Sequence, residues 1–438
     1  MNPNDHLPSE TICVGQVFFQ TLGCKVNQYD SQAMLERFEQ AGYKILAAHE
    51  RADVLVINTC VVTGEGERKS RQAIRRARAM HPDADIVVAG CLAQKEAGGL
   101  LAEGARLVIG TQRRARVVEL LEQAQREGTR LSAVGSLMGI PFENLRVSGH
   151  EGHTRAVMKI QEGCDRYCAY CIIPSVRGAV RSRPLADIRE EAGALARAGY
   201  REAVLTGIHL SSFGRGTGHD LADAAQAVAG AGMGRVRLGS LEPVIVTEAF
   251  ARRLAGIPGL CPQFHLSLQS GSDAVLQRMR RRYTAAAYRE AADTLRRHFP
   301  GCALTTDVIA GFPGETEREF EETFAFVQSV GFARLHVFPF SAREGTAAAS
   351  MPGQLPRQVK NARAAALIAA GDAAAAAYRA AMLGSVRDVL FEERAGNAWA
   401  GYTPEYLRVR AHGAAAGQVR PVRLTALDGE CFAGDIIG

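Results

Sequence analysis

Short apolar runs recur through the first 125 or so positions, and each stops at a small or polar residue. QVFFQTLG ends at Gly23, VLVINT at Thr59, IVVAG at Gly90 and LVIG at Gly110. Charged segments of helical spacing lie between them. Positions 31–41 and 67–80 read as helices, the second stopping before His81-Pro82. β-branched strands that alternate with helices predict an α/β fold with a doubly wound parallel sheet. From 131 to 154 no period is visible, and Gly, Pro, Asn and Ser mark a linker.

The alternation resumes at Ala156 and runs to Phe340, with strands AVMKIQ, EAVLTGI, VRLGSL, FHLSLQ, ALTTDVIA and RLHVFPF. Six parallel strand–helix units predict a partial (β/α)6 barrel that binds ligands at the C-terminal ends of its strands. The Ala-rich stretch 361–383 reads as one long helix. Arg363, Asp372 and Arg379 interrupt it, so it is not a membrane span. In the last 55 or so residues the period changes to two, in LRVRA and VRPVRL, with turn signals at Gly413, Gly417 and Asp428-Gly429. A small antiparallel β-barrel is expected there. The expected domains are 14–125, 150–380 and 381–438.

Composition narrows the class. The 438 residues carry 52 Lys and Arg against 46 Asp and Glu, a mild excess that permits a polyanionic partner without requiring one. The opening MNPNDHLPSE has no basic segment followed by an apolar run, so no signal peptide is expected and the chain reads as cytoplasmic, without a membrane partner. Ten cysteines in a reducing compartment point to metal or catalytic work rather than disulfides.

Cys164, Cys168 and Cys171 stand as C-x3-C-x2-C in KIQEGCDRYCAYCIIP, directly after the first barrel strand. Three thiolates on one tight loop suit three irons of a 4Fe-4S cluster and leave the fourth iron open. The alternatives are a zinc loop or buried thiols, but a structural zinc takes four ligands and no fourth Cys or His follows at such a spacing. The motif matches the radical SAM superfamily. That resemblance implies S-adenosylmethionine (SAM) on the open iron and its cleavage to a 5′-deoxyadenosyl radical, with the Tyr170 ring packed near the adenosine.

Cys24, Cys60 and Cys91 are far apart in sequence, yet each follows a strand of the N-terminal sheet, in TLGCKVN, VINTCVVT and VVAGCLAQ. The C-terminal ends of parallel strands share one edge, so the three thiols should converge there on a second 4Fe-4S cluster with an exposed iron. A single cysteine after a strand is ordinarily a small buried hydrophobe. Cys13, Cys261, Cys302 and Cys431 lack this geometry and read as structural.

In this order the two constellations resemble the methylthiotransferase family, over nearly the whole chain. The resemblance implies an N-terminal methylthiotransferase domain, a radical SAM core and a C-terminal TRAM module. It also implies two uses of SAM, one as methyl donor to sulfur on the auxiliary cluster and one as radical source. TLGCKVNQYDS, TGIHL, LSLQSGSD, RRYT and GFPGETE look like the MtaB-type branch, which acts on N6-threonylcarbamoyladenosine beside the tRNA anticodon. Leu92 and Arg280 depart from that branch, where an aromatic and an Asn are common. The implied partners are tRNA, an electron donor such as flavodoxin or ferredoxin, and a sulfur donor. The rival readings are methylthiolation of isopentenyladenosine or of a ribosomal protein, and a non-catalytic RNA-binding metalloprotein.

Other positions are weighed more lightly. Thr206 and Gly207 end the second barrel strand, where the superfamily binds the SAM amine; a plain turn is the alternative. Ser267 and Gln269 are placed to reach the SAM ribose or carboxylate, and Gly311 allows close backbone approach. Glu242 and Asp307 sit near strand ends as ligand contacts or salt-bridge partners. Basic residues gather at Arg68, Lys69, Arg71, Arg75, Arg76 and Arg78, and at Arg278 with Arg280, Arg281 and Arg282. In the last module Arg408 and Arg410 lie near Tyr402 and Tyr406, a set suited to RNA phosphates and base stacking. Any one such run alone is ordinarily a solvated face.

Overall fold

The structure is a computed structural model that describes residues 14–49, 52–149 and 154–437. The expectations for the opening segment, for Cys13 and for linker positions 150–153 lie outside the described residues. The chain divides into two compact units, one of residues up to 137 with 143–147, the other of 138–142 with 148 onward.

The first unit is a parallel sheet of β1 (Gly15–Thr21), β2 (Tyr43–Leu46), β3 (Val54–Thr59), β4 (Asp85–Gly90), β5 (Leu107–Ile109) and β6 (Leu131–Ser132), in the order β2-β1-β3-β4-β5-β6. Helices α1 (Lys25–Gln40), α2 (Gly64–Met80), α3 (Cys91–Ala102) and α4 (Val117–Arg126) connect the strands. Every residue of β3 is buried, as a central strand covered on both faces requires. Helix α1 starts earlier than its charge pattern predicts because its polar residues are internal. Asn27 is buried and donates to the carbonyls of Leu22 and Thr59, and buried Asp30 pairs with buried Arg114. Strands β2 and β6 were not expected. They are too short to show a period, and β6 lies inside the stretch read as linker.

In the second unit the strands are β7 (Arg155–Glu162), β8 (Arg181–Ser182), β9 (Glu202–Gly207), β10 (Arg235–Leu238), β11 (Gln263–His265), β12 (Ala303–Ala310) and β13 (Arg334–Pro339). They form the ladders β10-β9-β7-β8 and β11-β12-β13, joined by parallel bridges at Val236–Leu260 and Leu241–Leu266. Apart from the antiparallel stub β8, this is the expected six-stranded partial barrel. Its helices are α5 (Ile173–Arg177), α6 (Leu185–Arg197), α7 (Leu221–Gly230), α8 (Glu248–Ala255), α9 (Asp273–Arg278), α10 (Ala285–His298) and α11 (Glu317–Val330). Alternation divides the strand faces. Ala156, Met158, Ile160, Ala203, Leu205, Val236, Leu238 and Phe264 join one hydrophobic core. The intervening Lys159, Gln161, Glu202, Thr206 and Arg237 are also buried, so the opposite face is polar.

Helix α12 (Arg357–Met382) packs on β13 at Gly371, where a Cβ would stand 2.7 Å from Leu335 Cβ. Five strands then close a barrel: β14 (Val386–Ala395), β15 (Ala398–Tyr402), β16 (Arg408–Ala411), β17 (Val419–Asp428) and β18 (Cys431–Ile436), ordered β14-β15-β16-β18-β17. Its ladders are antiparallel except β16–β18, which is parallel. A period-2 pattern does not encode strand direction, so this departure was not visible beforehand. Among the described residues no helix is long and apolar enough to cross a membrane.

Candidate functional site

Cys164, Cys168 and Cys171 lie on the loop that leaves β7. Gly163 makes the exit possible: its φ is +74°, and a Cβ there would stand 1.8 Å from the Ala179 carbonyl oxygen. The loop is then tied down by backbone bonds from Cys164 N to Gly178 O (3.0 Å), Cys171 N to Cys168 O (3.0 Å) and Ala169 N to Met279 O (3.0 Å). Burial pushes the Cys164 thiol up to about 11 and the Cys171 thiol up to about 12. Thiols raised this far keep their protons at neutral pH, and a metal that bound them would displace those protons to solvent.

A charged network stands against this loop. Arg281 donates from Nη1 to Cys168 Sγ at 3.2 Å. Its other terminal nitrogen lies 3.1 Å from Glu242 Oε1, and Glu242 also meets Arg166 Nε at 2.8 Å and His209 Nε2 at 3.1 Å. Burial raises the Glu242 pKa, but the His209 hydrogen bond and the Arg281 and Arg166 charges outweigh it and bring the carboxyl to about 2. Glu242 is therefore a salt-bridge hub. From the sequence, Arg281 stands out only in a basic run and in RRYT, and His209 only within TGIHL, with no contact expected of either. No spacing rule joins Arg281 to a cysteine 113 positions away.

The other barrel residues singled out from sequence sit on the C-terminal side of their strands. Thr206 and Gly207 end β9, and a Cβ at Gly207 would stand 2.8 Å from Gln161 Cβ. Ser267 and Gln269 follow β11, and Gln269 takes a left-handed φ of +70° that lets its N–H and carbonyl bridge to Asp307 and Ile309 of β12. Gly311 follows β12 with φ +73°, and Lys360 Cγ would lie 2.4 Å from a Cβ there. The Tyr170 ring meets Phe312 edge-on at 6.5 Å, joining the cysteine loop to the loop after β12. Asp307 pairs with His265 at 3.3 Å.

In the first unit the turns that carry Cys24, Cys60 and Cys91 leave adjacent strands β1, β3 and β4 at their C-terminal ends. They are tied to one another. Asn27 Nδ2 reaches the carbonyls of Leu22 and Thr59, at 2.7 and 2.9 Å, and Leu92 N donates to Thr59 Oγ1 at 3.2 Å. A Cβ at Gly23 would lie 2.8 Å from Cys60 Sγ, and one at Gly90 2.4 Å from Asn58 Oδ1, so glycines let the turns meet. Cys24 caps α1 and Cys91 opens α3, and neither helix has an acid in its first turn. Two of the three thiols thus stand at helix N-termini. Cys24 is exposed while Cys60 and Cys91 are buried. Among the described residues no three His, Cys, Asp or Glu side chains close on a single ion. A cubane differs from a single ion, because each thiolate holds its own iron. Both triads offer the thiol donors such a group takes, and Gly163, Gly23 and Gly90 shape the turns that carry them.

The C-terminal tyrosines are turned toward the barrel. Tyr402 and Tyr406 stack on each other, Arg155 of β7 lies 5.1 and 5.0 Å from their centroids, and Arg237 of β10 lies 4.9 Å from that of Tyr406. Arg235 and Arg237 also bind the carbonyls of Tyr402 and Pro404 at 3.1 and 2.8 Å. Arg408 and Arg410 remain on the surface, paired with Glu393 at 2.6 Å and Asp428 at 2.7 Å. On α2, Arg68 and Lys69 pair with Glu65, and Arg71 with Glu67 and Glu96. Arg278 pairs with Glu319. Cys261 and Cys302 are buried, and Cys431 is half-buried.

Residues 16–110 match the family described as "Uncharacterized protein family UPF0004", and residues 158–327 match the radical SAM superfamily. The chain is 40% identical, over 90% of its length and 89% of the relative's, to "Threonylcarbamoyladenosine tRNA methylthiotransferase MtaB" of Bacillus subtilis. It is 35% identical to the protein of that name from Thermotoga maritima, over 94% of this chain and 95% of the relative. It is also 36% identical to "tRNA-2-methylthio-N(6)-dimethylallyladenosine synthase" of Anaeromyxobacter dehalogenans, over 99% of this chain and 96% of the relative. Among solved structures, the radical S-adenosylmethionine methyltransferase TsrM of Kitasatospora setae is similar in fold, with a TM-score of 0.55 at 14% identity over 76% of this chain and 74% of that one.

Proposed function

The chain belongs to the methylthiotransferase family of radical SAM enzymes that act on tRNA, and from there we propose that it converts N6-threonylcarbamoyladenosine at position 37, 3′ of the anticodon, to its 2-methylthio derivative. The observation that carries the proposal is the pairing of two open thiol triads in one chain, one on a barrel loop and one on a sheet edge. When bound, a cubane with SAM at the first triad supplies the radical and a second cubane at the other supplies the sulfur.

The chain's own residues divide the remaining work. Cys164, Cys168 and Cys171 would hold the first cluster, and Cys24, Cys60 and Cys91 the second. Thr206, Gly207, Ser267, Gln269 and Gly311 line the strand ends where SAM would lie, with Tyr170 beside its adenosine. The missing side chains of Gly207 and Gly311 make room for Gln161 and Lys360 beside these strand ends. Arg408 and Arg410 would contact RNA phosphates. Tyr402 and Tyr406, expected to stack on RNA bases, stack on each other and on the barrel arginines, with Tyr406 still 36% exposed. The reaction further requires an electron donor of flavodoxin or ferredoxin type and a sulfur donor, in the cytoplasm where tRNA is modified.

The wording TLGCKVNQYDS and RRYT supports the threonylcarbamoyl substrate. The strong match to a dimethylallyladenosine synthase keeps the isopentenyl substrate as the second reading. Mass spectrometry of tRNA nucleosides from cells that lack the protein separates them. Loss of 2-methylthio-N6-threonylcarbamoyladenosine with build-up of its precursor is expected. Loss of the isopentenyl product instead would move the chain to the other branch, and an unchanged profile would exclude both substrates.

A further inference from the structure

The Arg281 side chain is 7% exposed and lies between the cysteine loop and the rim of strand ends, with two nitrogens hydrogen-bonded and the third, Nη2, ion-paired with Glu242 but without a hydrogen bond. Nη1 donates to Cys168 Sγ at 3.2 Å, Nε donates to the Tyr283 hydroxyl at 2.9 Å, and Nη2 faces Glu242. The Tyr283 ring also lies 4.8 Å from the guanidinium carbon. Tyr283 is itself fixed, since its hydroxyl donates to the carbonyls of Ser267 and Leu268 at 2.6 and 3.0 Å. A continuous chain of contacts therefore runs from the end of β11 through Tyr283 and Arg281 to one sulfur of the triad. Cys164 and Cys171 are met instead by backbone N–H groups, those of Arg166 and Ile173, and among the described residues no charged side chain donates to either sulfur.

We propose that Arg281 is a positioning residue that orients the Cys168 sulfur and raises the reduction potential of the cluster held by Cys164, Cys168 and Cys171. Reduction adds negative charge to the cluster and its sulfurs. A cation that donates to one of those sulfurs stabilises the reduced form more than the oxidised form. Arg suits the position because its planar fork reaches the sulfur, Tyr283 and Glu242 at once, which an ammonium does not. Glu242 sets the strength of the effect. It offsets part of the Arg281 charge and, through Arg166, also binds the cysteine loop itself.

The proposal rests on the first triad holding the cubane, and the test separates the two. The full chain is reconstituted anaerobically as wild type, Arg281→Gln, Arg281→Lys, Tyr283→Phe and Cys168→Ala. Iron content and the EPR-monitored midpoint potential are measured for each. Arg281→Gln with wild-type iron is expected to have a lower midpoint, Arg281→Lys an intermediate one, and Tyr283→Phe a smaller shift in the same direction. Arg281→Gln with full iron and an unshifted midpoint overturns the proposal. If that variant does not retain its cluster, Tyr283→Phe decides: a lowered midpoint supports the proposal, and an unchanged midpoint and spectrum refute it. Cys168→Ala with undiminished iron would overturn the cluster assignment instead.

Discussion

Tyr402 and Tyr406 lie against one another with ring centroids 4.7 Å apart and planes 19° from parallel. Arg155 and Arg237, from two different barrel strands, stand within about 5 Å of these rings. Stacking of this kind is worth about 1 kcal/mol and each cation–π contact about 0.5–2 kcal/mol. Tyr406→Ala should therefore lower stability by about 2 kcal/mol, read as a lower urea midpoint. Arg410→Ala should behave oppositely. Its exposed pair with Asp428 contributes little to stability, but loss of a phosphate contact should flatten the salt dependence of tRNA binding by about 0.7–0.9 per contact. A Tyr406→Ala protein of unchanged stability and reduced RNA affinity would reverse these assignments.

Cys24→Ala, Cys60→Ala and Cys91→Ala should each lower iron from about eight to about four atoms per chain, two cubanes becoming one. Deoxyadenosine should still form from SAM under reducing conditions, while methylthiolated nucleoside should not. Iron analysis and product chromatography on the same preparation check both. Unchanged iron content would make these three thiols structural.

Arg280 is exposed and holds φ +60°, a left-handed conformation that costs an ordinary side chain about 1 kcal/mol. Asn tolerates that left-handed region better than Arg does. Arg280→Asn should stabilise the chain by about 0.5–1 kcal/mol, seen as a raised urea midpoint. A fall in the midpoint would mean that the Arg280 side chain contributes more than its backbone costs.

Glu319 closes the capping box of α11 with Thr316 and is gripped by Arg278 at 2.7 and 2.9 Å. The Arg278 hydrogen bond, against the opposing effect of burial, lowers its pKa from 4.5 to about 2. A carboxyl whose folded pKa is depressed adds stability above its unfolded pKa and loses it as pH falls through the folded one. Glu319→Gln should thus be less stable than wild type at neutral pH, and the gap should close between about pH 4.5 and 2. Urea midpoints at stepped pH test this, and a gap that stays constant would assign the loss to helix capping alone.

The features legible in the sequence are those set by local spacing or by a repeating period. C-x3-C-x2-C is local, and its loop lies where the strand pattern put it. Cys24, Cys60 and Cys91 were placed on one edge because parallel strands that alternate with helices all end on the same side. Contacts between distant segments were not legible. Nothing near Arg281 indicates that its loop returns to Cys168, and RRRY reads equally well as solvated charge. The period in LRVRA gave the faces of β16 but not its direction relative to β18, nor that the tyrosines before it would meet Arg155 and Arg237. Strands as short as β2 and β6 carry no period at all.

The attachment of the C-terminal β-barrel is one-sided in its demands. Arg235 and Arg237 reach the main-chain oxygens of Tyr402, Thr403, Pro404 and Asp388, atoms that every amino acid possesses. Apart from the Tyr406 ring over Arg237, the module presents its backbone to these two arginines, while Arg155 meets both tyrosine rings and pairs with Glu392. The module's outward surface can therefore change in sequence without loosening its seat. A graft of a relative's module that keeps the course of the 402–404 segment and an aromatic at 406 should seat on this barrel, whereas replacing Arg235 and Arg237 should weaken that seat.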